Sequence, residues 1–369
     1  MVIVLNNGIF EAHGMSGSDR RALEWSTLFR REKNVAILTS RVGVRRYQEK
    51  GFLISNLIIT GSKKKFEPVL FFYLRQIILA SQKLKSLSCD TVYSSSDVIA
   101  DAVPALYKKL FSPKISWVAG CHLVWPSPFK IIFDPRFKGF SLLRGIYFYS
   151  IQNFLFFCFK KLVSLVLVSN HVDKEHLIQK GIQENKILVT PGAIKFSDIQ
   201  KIPKNEIQYD ACFIGRNHPQ KGIQDLFLIW EEVLLKRPQS QLAFISDFPV
   251  KEFQKNIHYF GFIDGAQKYA IMKQSKILLF PSHHESFGMV ALEALACGLP
   301  VIAYDLPELR EFYGDEMVRS SMGDIKQFSK KVLELLENEE QRNKLSSLAL
   351  AKAKTFNWEN TAEQILRTL

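Results

Sequence analysis

The sequence is poor in the residues that build covalent or metal-held scaffolds. Its five cysteines, Cys89, Cys121, Cys158, Cys212 and Cys297, are dispersed and form no C-x-x-C pair. Such spacing speaks against a disulfide framework or a zinc site and for free thiols in a reducing compartment. There is no G-x-G-x-x-G fingerprint and no Gly-Lys-Ser/Thr of a P-loop, so neither common phosphate-loop signature applies. No apolar run reaches the roughly 20 residues that span a bilayer. The most aromatic stretch, Ile146 to Phe159, is broken by Ser150, Gln152 and Asn153. Low-complexity segments and short repeats are absent. Met1 leads straight into Val-Ile-Val-Leu without a basic stretch or cleavage site, so no signal peptide is expected.

What is present describes an ordinary folded protein. The length of 369 residues suggests two domains, and 47% hydrophobic with 23% charged residues is a typical globular balance. The charge is lopsided. Residues 1–196 hold 28 Lys and Arg against 13 Asp and Glu, a net of +15, while the remainder sits at −2. That asymmetry suggests an anionic partner for the first half, such as a membrane surface or a lipid phosphate, or else a solvated basic surface. No motif supports nucleic acid. The stretch 146–159 reads as a helix buried in the first domain, or as an interfacial helix with Lys130, Arg136, Lys138 and Arg144 nearby for acidic headgroups.

Short β-branched runs alternate with longer helical patterns. Val2–Leu5, Val35–Thr39, Thr91–Ser94, Ile115–Ala119, Leu165–Ser169 and Ile187–Thr190 read as strands, with helices between them. A polar stretch from Lys195 to Gln208 reads as a linker. The pattern restarts at Tyr209–Ile214, Gln241–Ser246, Ile257–Phe260, Lys276–Phe280 and Pro300–Tyr304. Strands alternating with helices imply parallel sheets. The expected class is α/β, with two doubly wound domains in tandem.

The segment from Phe280 to Ile302 carries most of the chemistry. An apolar strand ends at Phe280, and a turn presents Glu285. A helix from about Gly288 carries Glu293, and Gly298 and Pro300 stop it. A strand-turn-helix unit places helix N–H groups at the carboxyl edge of a parallel sheet, where ligands bind and phosphate is favoured. Glu293 stands in a helix that is apolar nearly all round, and a buried carboxylate needs partners. Backbone donors or a polar ligand such as a ribose would supply them. Near the start of the second domain, Gly215-Arg216…Lys221-Gly222 places two cations beside a helix start. Arg binds phosphate oxygens bidentately and Lys adds a point charge, so the pair suits a diphosphate. In the first half, Gly14 and Gly17 precede the first helix and permit close backbone approach, and His122 lies just past a strand end.

Together these motifs resemble the retaining GT-B glycosyltransferases of family 4. The resemblance is carried by Glu285 and Glu293 in E-x₇-E followed by Ala-Cys-Gly-Leu-Pro-Val-Ile, and it extends over essentially the whole chain. It implies two Rossmann-like domains, 1–197 on the acceptor side and 198–357 binding the donor, that face an interdomain cleft. A terminal helix at 358–369 crosses back to the first domain. It implies a sugar moved from a nucleotide-diphosphate sugar, UDP- or GDP-linked, to a glycan or lipid-linked acceptor, without a metal or a further cofactor. The setting implied is polysaccharide, glycolipid or envelope synthesis, in the cytoplasm or peripherally on the inner membrane face.

Residue by residue, Arg216 and Lys221 neutralise the diphosphate in that family picture. Glu285 contacts sugar hydroxyls, and the N–H groups of Phe287, Gly288 and Met289 face sugar and phosphates. Glu293 accepts from the ribose, Gly17 approaches the β-phosphate, His122 lies on the acceptor side of the donor sugar, and Phe262 flanks the base. The sequence departs from the family at Pro191-Gly-Ala-Ile-Lys195, at Tyr304-Asp-Leu-Pro307-Glu308 and after Gly314-Asp315. An epimerase or phosphorylase of the same fold, or a non-catalytic sugar-nucleotide-binding subunit, remains an alternative.

Overall fold

Period-2 runs of branched and aromatic residues form two parallel sheets in a computed structural model that describes residues 1–9, 15–127, 140–249 and 256–368. The first sheet joins β1 (Val2–Asn6), β2 (Val35–Thr39), β3 (Leu57–Ile59), β4 (Thr91–Ser94), β5 (Ser116–Cys121), β6 (Leu165–Val168) and β7 (Ile187–Val189) in the order β3-β2-β1-β4-β5-β6-β7. The second joins β8 (Tyr209–Ile214), β9 (Leu242–Ile245), β10 (Ile257–Tyr259), β11 (Ser275–Phe280), β12 (Val301–Tyr304) and β13 (Met317–Ser320) in the order β10-β9-β8-β11-β12-β13. Every pairing is parallel, with Val4 opposite both Ile37 and Tyr93 in the first sheet and Leu278 opposite both Cys212 and Val301 in the second. Strands buried on both faces explain why these runs read as nearly continuous apolar stretches.

Alternation assigns each side chain to one face. In the second unit Ala211, Phe213, Ile277 and Leu279 pack with the helix Ile223–Lys236, through Leu226, Ile229 and Trp230. Their neighbours Cys212, Ile214, Leu278 and Phe280 pack with the helix Met289–Ala296, through Ala291, Leu292 and Leu295. That helix is short and apolar all round because it is enclosed. Gly298, at φ +76°, ends it, as its position beyond the apolar run predicts.

The chain divides into one unit of residues 1–191 with 358–369 and a second unit of residues 192–357. The division expected at 197 therefore falls earlier. Ile194 and Ile199 are buried in the second core, and Ile194 N–H donates to Phe356 O. The expected linker 195–208 includes a short helix, Phe196–Gln200, and Lys273 Nζ donates to the carbonyls of Ile199 and Ile202. The terminal helix Trp358–Leu366 packs on the helix Gly17–Phe29. There Trp25 Nε1 donates to Thr361 Oγ1 at 2.9 Å and the Trp25 and Trp358 rings meet edge-on at 6.2 Å.

In each sheet the chain reverses its direction of travel once, between β1 and β4 in the first and between β8 and β11 in the second. Right-handed crossovers, the rule for parallel strands, send the chain toward opposite faces at such points, and open α/β sheets bind ligands there, outside the carboxyl ends of the strands.

Candidate functional site

Two loops meet at the reversal point of the second sheet. One follows β8 and runs from Gly215 to Gly222; the other follows β11 and runs from Pro281 to Gly288. His283 N–H donates to Gln220 O at 2.7 Å, and Gln220 Nε2 donates to His284 O at 3.3 Å. Gly222 makes the closest approach. Its φ is +66°, and a Cβ there would fall 1.9 Å from Pro281 O. Only glycine fits a left-handed residue pressed against a neighbouring carbonyl.

This clasp brings Lys221 and Glu285 together at 2.5 Å from Nζ to Oε1, with both side chains largely shielded from water. The cation expected at a diphosphate and the carboxylate expected at a sugar thus hold each other 64 positions apart in sequence. Arg216 is exposed on the same loop and has no side-chain partner among the described residues. The helix Met289–Ala296 starts at Gly288, at φ +77°. Its first N–H groups have no carbonyl of their own helix to bond, and the macrodipole makes that end electropositive. Arg216 and the Glu285-paired Lys221 thus lie on one loop, and this helix end follows the other, which that loop touches. The Phe287 ring itself is core, meeting Phe312 at 4.9 Å and Phe356 at 5.4 Å, so only its backbone can face a ligand. Gly192 supports the same stretch, since a Cβ there would overlap Met289 Sδ and the Phe287 ring.

Glu293 is 2% exposed. Lys268 Nζ donates to both of its oxygens at 2.9 Å, and Tyr269 Oη donates to Oε1 at 3.0 Å. Lys268 also pairs with Asp264 at 2.7 Å. Side chains of the helix Gly265–Lys273, a lysine and a tyrosine, thus meet the carboxylate for which the sequence suggested backbone donors or a ligand. Sequence reasoning missed Lys268 and Tyr269. The available signal was a Lys and a Tyr side by side in a half-apolar helix one strand before the E-x₇-E segment.

Sequence reasoning also missed a second cluster. His283 Nε2 lies 3.0 Å from Asp225 Oδ2, and Tyr304 Oη donates to the same oxygen at 2.7 Å. It ties the two loops to β12 and to the helix Ile223–Lys236. Further along the edge, Asp247 accepts from Asn217 N–H, and Ser246 N–H donates to Gly261 O at 3.0 Å. The loop bearing Phe262, 41% exposed, is thereby joined to the loop bearing Arg216.

In the first unit Gly17 opens the helix Gly17–Phe29. Ser16 caps it by accepting from Asp19 N–H at 3.1 Å, and Asp19 accepts from Ser16 N–H at 3.0 Å. The reciprocal pair is a capping box. Gly14 lies outside the described residues, as do Lys130, Arg136 and Lys138. His122 is buried past the end of β5, 5.9 Å from the Trp25 ring, and neither ring nitrogen has a partner among the described residues. Burial, with Arg21 close by, holds its pKa well below the usual histidine value, so the ring is neutral.

Residues 195–351 match the family described as glycosyl transferases group 1. The second unit is a group 1 glycosyl transferase domain. Relatives of the chain include the O-antigen chain mannosyltransferase B of Escherichia coli, 30% identical over 168 residues, which cover 42% of this chain and 44% of that protein. Another is an uncharacterized 41.2 kDa protein of the cps region of Klebsiella pneumoniae, 29% identical, covering 52% of this chain and 57% of that one. The chain thus spans about half the length of the curated relatives it matches. Among solved structures, Anabaena HepE in complex with UDP and glucose superposes with a TM-score of 0.70 at 15% identity, covering 100% of this chain and 98% of that one. Sucrose-phosphate synthase from Thermosynechococcus elongatus gives 0.74 at 13% identity, covering 99% and 97%. A putative UDP-N-acetylglucosamine 2-epimerase from Listeria monocytogenes gives 0.63 at 13% identity, covering 99% and 94%. These likenesses, with parallel sheets of seven and six strands, make the fold GT-B. The group 1 domain therefore holds both loops of the clasp and all of the E-x₇-E segment.

Proposed function

We propose that the protein is a retaining glycosyltransferase that moves a sugar from a UDP- or GDP-sugar to a glycan or lipid-linked acceptor in polysaccharide synthesis. The observation that carries this reading is the contact of the loops after β8 and β11 at the reversal point of the second sheet, which sets Lys221 against Glu285 on loops that also bear Arg216 and lead to the helix start at Gly288. The relatives named for mannosyl transfer to O-antigen and for a cps region support the polysaccharide setting. HepE, solved with UDP and glucose, supports a nucleotide sugar.

In the reaction, the bond between the anomeric carbon and the diphosphate oxygen breaks. The acceptor hydroxyl oxygen bonds to that carbon on the same face, and its proton goes to the departing phosphate. Negative charge grows on the diphosphate as the bond opens. Preorganised cations and helix N–H groups stabilise that charge without reorganising. Arg216 and Lys221 take this role, and Lys221 leaves its pair with Glu285 as the diphosphate arrives. Glu285 is then available to sugar hydroxyls. Glu293, its rotamer fixed by Lys268, receives ribose hydroxyls, and Phe262 flanks the base. Neutral His122 offers a hydrogen bond rather than charge on the acceptor side, and Gly17 gives the phosphate a close backbone. No metal or further cofactor is assigned. The protein works in the cytoplasm, where nucleotide sugars serve as donors, and peripherally at the inner membrane face.

The test is a panel of UDP-, GDP- and ADP-sugars, scored for thermal stabilisation and for slow release of nucleoside diphosphate. One sugar nucleotide that both stabilises and hydrolyses, with retained configuration in the transfer product, supports the reading. Conversion of a free UDP-sugar to its epimer, or binding without any turnover when acceptors are supplied, refutes it in favour of an epimerase or a non-catalytic subunit.

A further inference from the structure

We propose that the outward faces of helices Val69–Lys85 and Phe140–Leu162 form a docking surface for an anionic lipid bilayer. The inference rests on the first unit alone and is independent of the donor chemistry in the second.

The helix Val69–Lys85 buries one row, Phe72, Gln76, Ala80 and Leu84, at intervals of four residues. A helix packed on one side normally turns polar groups to water on the other. This one does not. Leu70, Leu74 and Ile78 form a second row at the same interval, joined by Phe71, and all four are exposed, Phe71 to 62% and Ile78 to 57%. Just before the helix start, Phe66 is 88% exposed and follows directly on Lys63, Lys64 and Lys65. The helix Phe140–Leu162 repeats the arrangement. It buries Leu155, Phe156 and Phe159 and exposes Leu143, Tyr147, Phe154 and Phe157, which share one face by their spacing. Lys161 Nζ stands 5.0 Å over the exposed Phe157 ring.

The two helices share one cleft, lined by Tyr73 of the first, Tyr147, Phe148 and Ile151 of the second, and Asp97, Val98 and Ile99 between them in sequence. Both helices follow a strand of a parallel sheet, so both start at its carboxyl edge. An exposed apolar surface of this extent marks an interaction site rather than ordinary solvent-facing surface.

Charge selects the occupant. Neither helix contains a single Asp or Glu, while the two together carry Lys83, Lys85, Arg144, Lys160 and Lys161, besides Arg75, which pairs with Glu67 at 2.7 Å. Residues 1–196 have a net charge of +15. Apolar side chains that enter the headgroup boundary, flanked by lysines and with the nearby Glu67 neutralised by Arg75, are the pattern of a helix lying on anionic lipid. A protein interface of this size would gain specificity from charges of both signs. The surface found here differs from the one expected from sequence, which centred on residues 129–161. It adds the helix Val69–Lys85, whose two four-residue rows only burial tells apart, and the lysines before it.

The full-length protein is sedimented with vesicles of phosphatidylcholine mixed with phosphatidylglycerol, and with phosphatidylcholine alone. The expected result is sedimentation with the anionic vesicles and weaker binding to the neutral ones. The triple variant Phe71→Ser, Leu74→Ser, Ile78→Ser replaces residues that are 45–62% exposed and should stay folded, with a modestly lower melting temperature, while losing about tenfold or more in vesicle partitioning. Lys64→Glu with Lys65→Glu should reduce binding most at low salt, where screening is weakest. A parent protein that stays in the supernatant with anionic vesicles overturns the proposal. So does a triple variant that sediments like the parent. Sedimentation velocity covers the remaining occupant: a dimer that the triple variant dissociates would assign the face to a second copy of the chain.

Discussion

Lys268 and Glu293 allow the sharpest test of how the second unit is held together. Their side chains are 7% and 3% exposed, and Nζ lies 2.9 Å from each carboxylate oxygen. Substituting Lys268→Met keeps the length and apolar stem of the side chain but removes its charge. Glu293 then remains buried with a neutral hydroxyl, Tyr269, in place of a cation. Stranding one member of a buried pair costs about 3–5 kcal/mol. Asp264 also loses a partner, but it is half-exposed and its pair with Lys268 adds little. For a domain of this size, each kcal/mol moves the midpoint by about 2–4 °C, so the second unit should melt roughly 10 °C lower. The double variant Lys268→Met with Glu293→Leu removes both charges, and well-packed apolar pairs of this kind are often as stable as the ion pair they replace. Its midpoint should therefore return most of the way to the parent. Denaturant unfolding of the parent, both single variants and the double variant closes the cycle, and two losses of about 3–5 kcal/mol against a nearly restored double variant give a coupling of about 5 kcal/mol or more. A Lys268→Met protein within about 1 kcal/mol of the parent would refute the buried-pair argument. Glu293→Gln separates structure from ligand binding, because it retains a hydrogen-bonding oxygen. Loss of nucleotide binding with little loss of stability would place the ribose at Glu293.

Four further outcomes follow from particular contacts. Lys221→Ala should lower turnover by about a hundredfold or more while the fold survives, since one preorganised donor at a developing anion is worth that much; a near-parental rate would remove Lys221 from the site. Gly222→Ala should destabilise the second unit and abolish turnover together, because the new Cβ would fall 1.9 Å from Pro281 O, and a thermally intact variant would show that the two loops are not clasped. His122 is neutral in the fold with its pKa well below the usual value of 6.5, whereas in the unfolded chain it takes up a proton near that pH. The unfolded state therefore binds more protons below about 6.5, and stability is lost as pH falls, by up to about 1.4 kcal/mol per pH unit. His122→Gln should flatten that part of the pH profile in denaturant melts, and an unchanged slope would count against a buried neutral ring. Trp358→Ala should cost the first unit about 3–5 kcal/mol, visible as a lower midpoint for hydrogen exchange in residues 17–29 but not in 289–296.

How much of this was legible in the sequence follows from how local each feature is. The central strands were legible because burial on both faces writes a continuous apolar run. Val35–Thr39 and Thr91–Ser94 appear where the pattern puts them, and Tyr209–Ile214 does so in the second sheet. The edge strand Leu57–Ile59 and the edge strand Met317–Ser320 were missed. Each is three or four residues long and pairs on one side only, so its pattern is weak. The helix Met289–Ala296 and its glycine stop were legible for the same reason as the central strands. Their signal is a short segment under strong constraint. The Lys268 partnership was not legible, because it spans 25 positions and depends on how the helix Gly265–Lys273 lies across β11. The same limit explains Lys195 to Gln208. Its polar composition suggested a linker, yet Ile199 faces the core and Lys273 bonds the carbonyls of Ile199 and Ile202. Composition reports how polar a segment is and not whether its backbone finds a buried partner.

The clasp between the loops after β8 and β11 shows the same division at the site itself. Lys221 and Glu285 were each singled out from residue type and position, but their 2.5 Å contact was not foreseen. It arises because β8 and β11 are neighbours although the helix Ile223–Lys236, β9, β10 and the helix Gly265–Lys273 lie between them along the chain. That adjacency is a property of the winding and not of either motif. It also gives the pair a mechanistic consequence that neither residue has alone. A lysine already neutralised by a carboxylate is weakly attractive to a distant anion, and becomes fully available only when an incoming diphosphate competes for it. Glu285→Gln therefore should tighten binding of the free nucleoside diphosphate while slowing sugar transfer, since it releases Lys221 but loses the carboxylate facing the sugar. Weaker diphosphate binding in Glu285→Gln, measured by calorimetry beside the parent, would show that the pair orients Lys221 and does not restrain it.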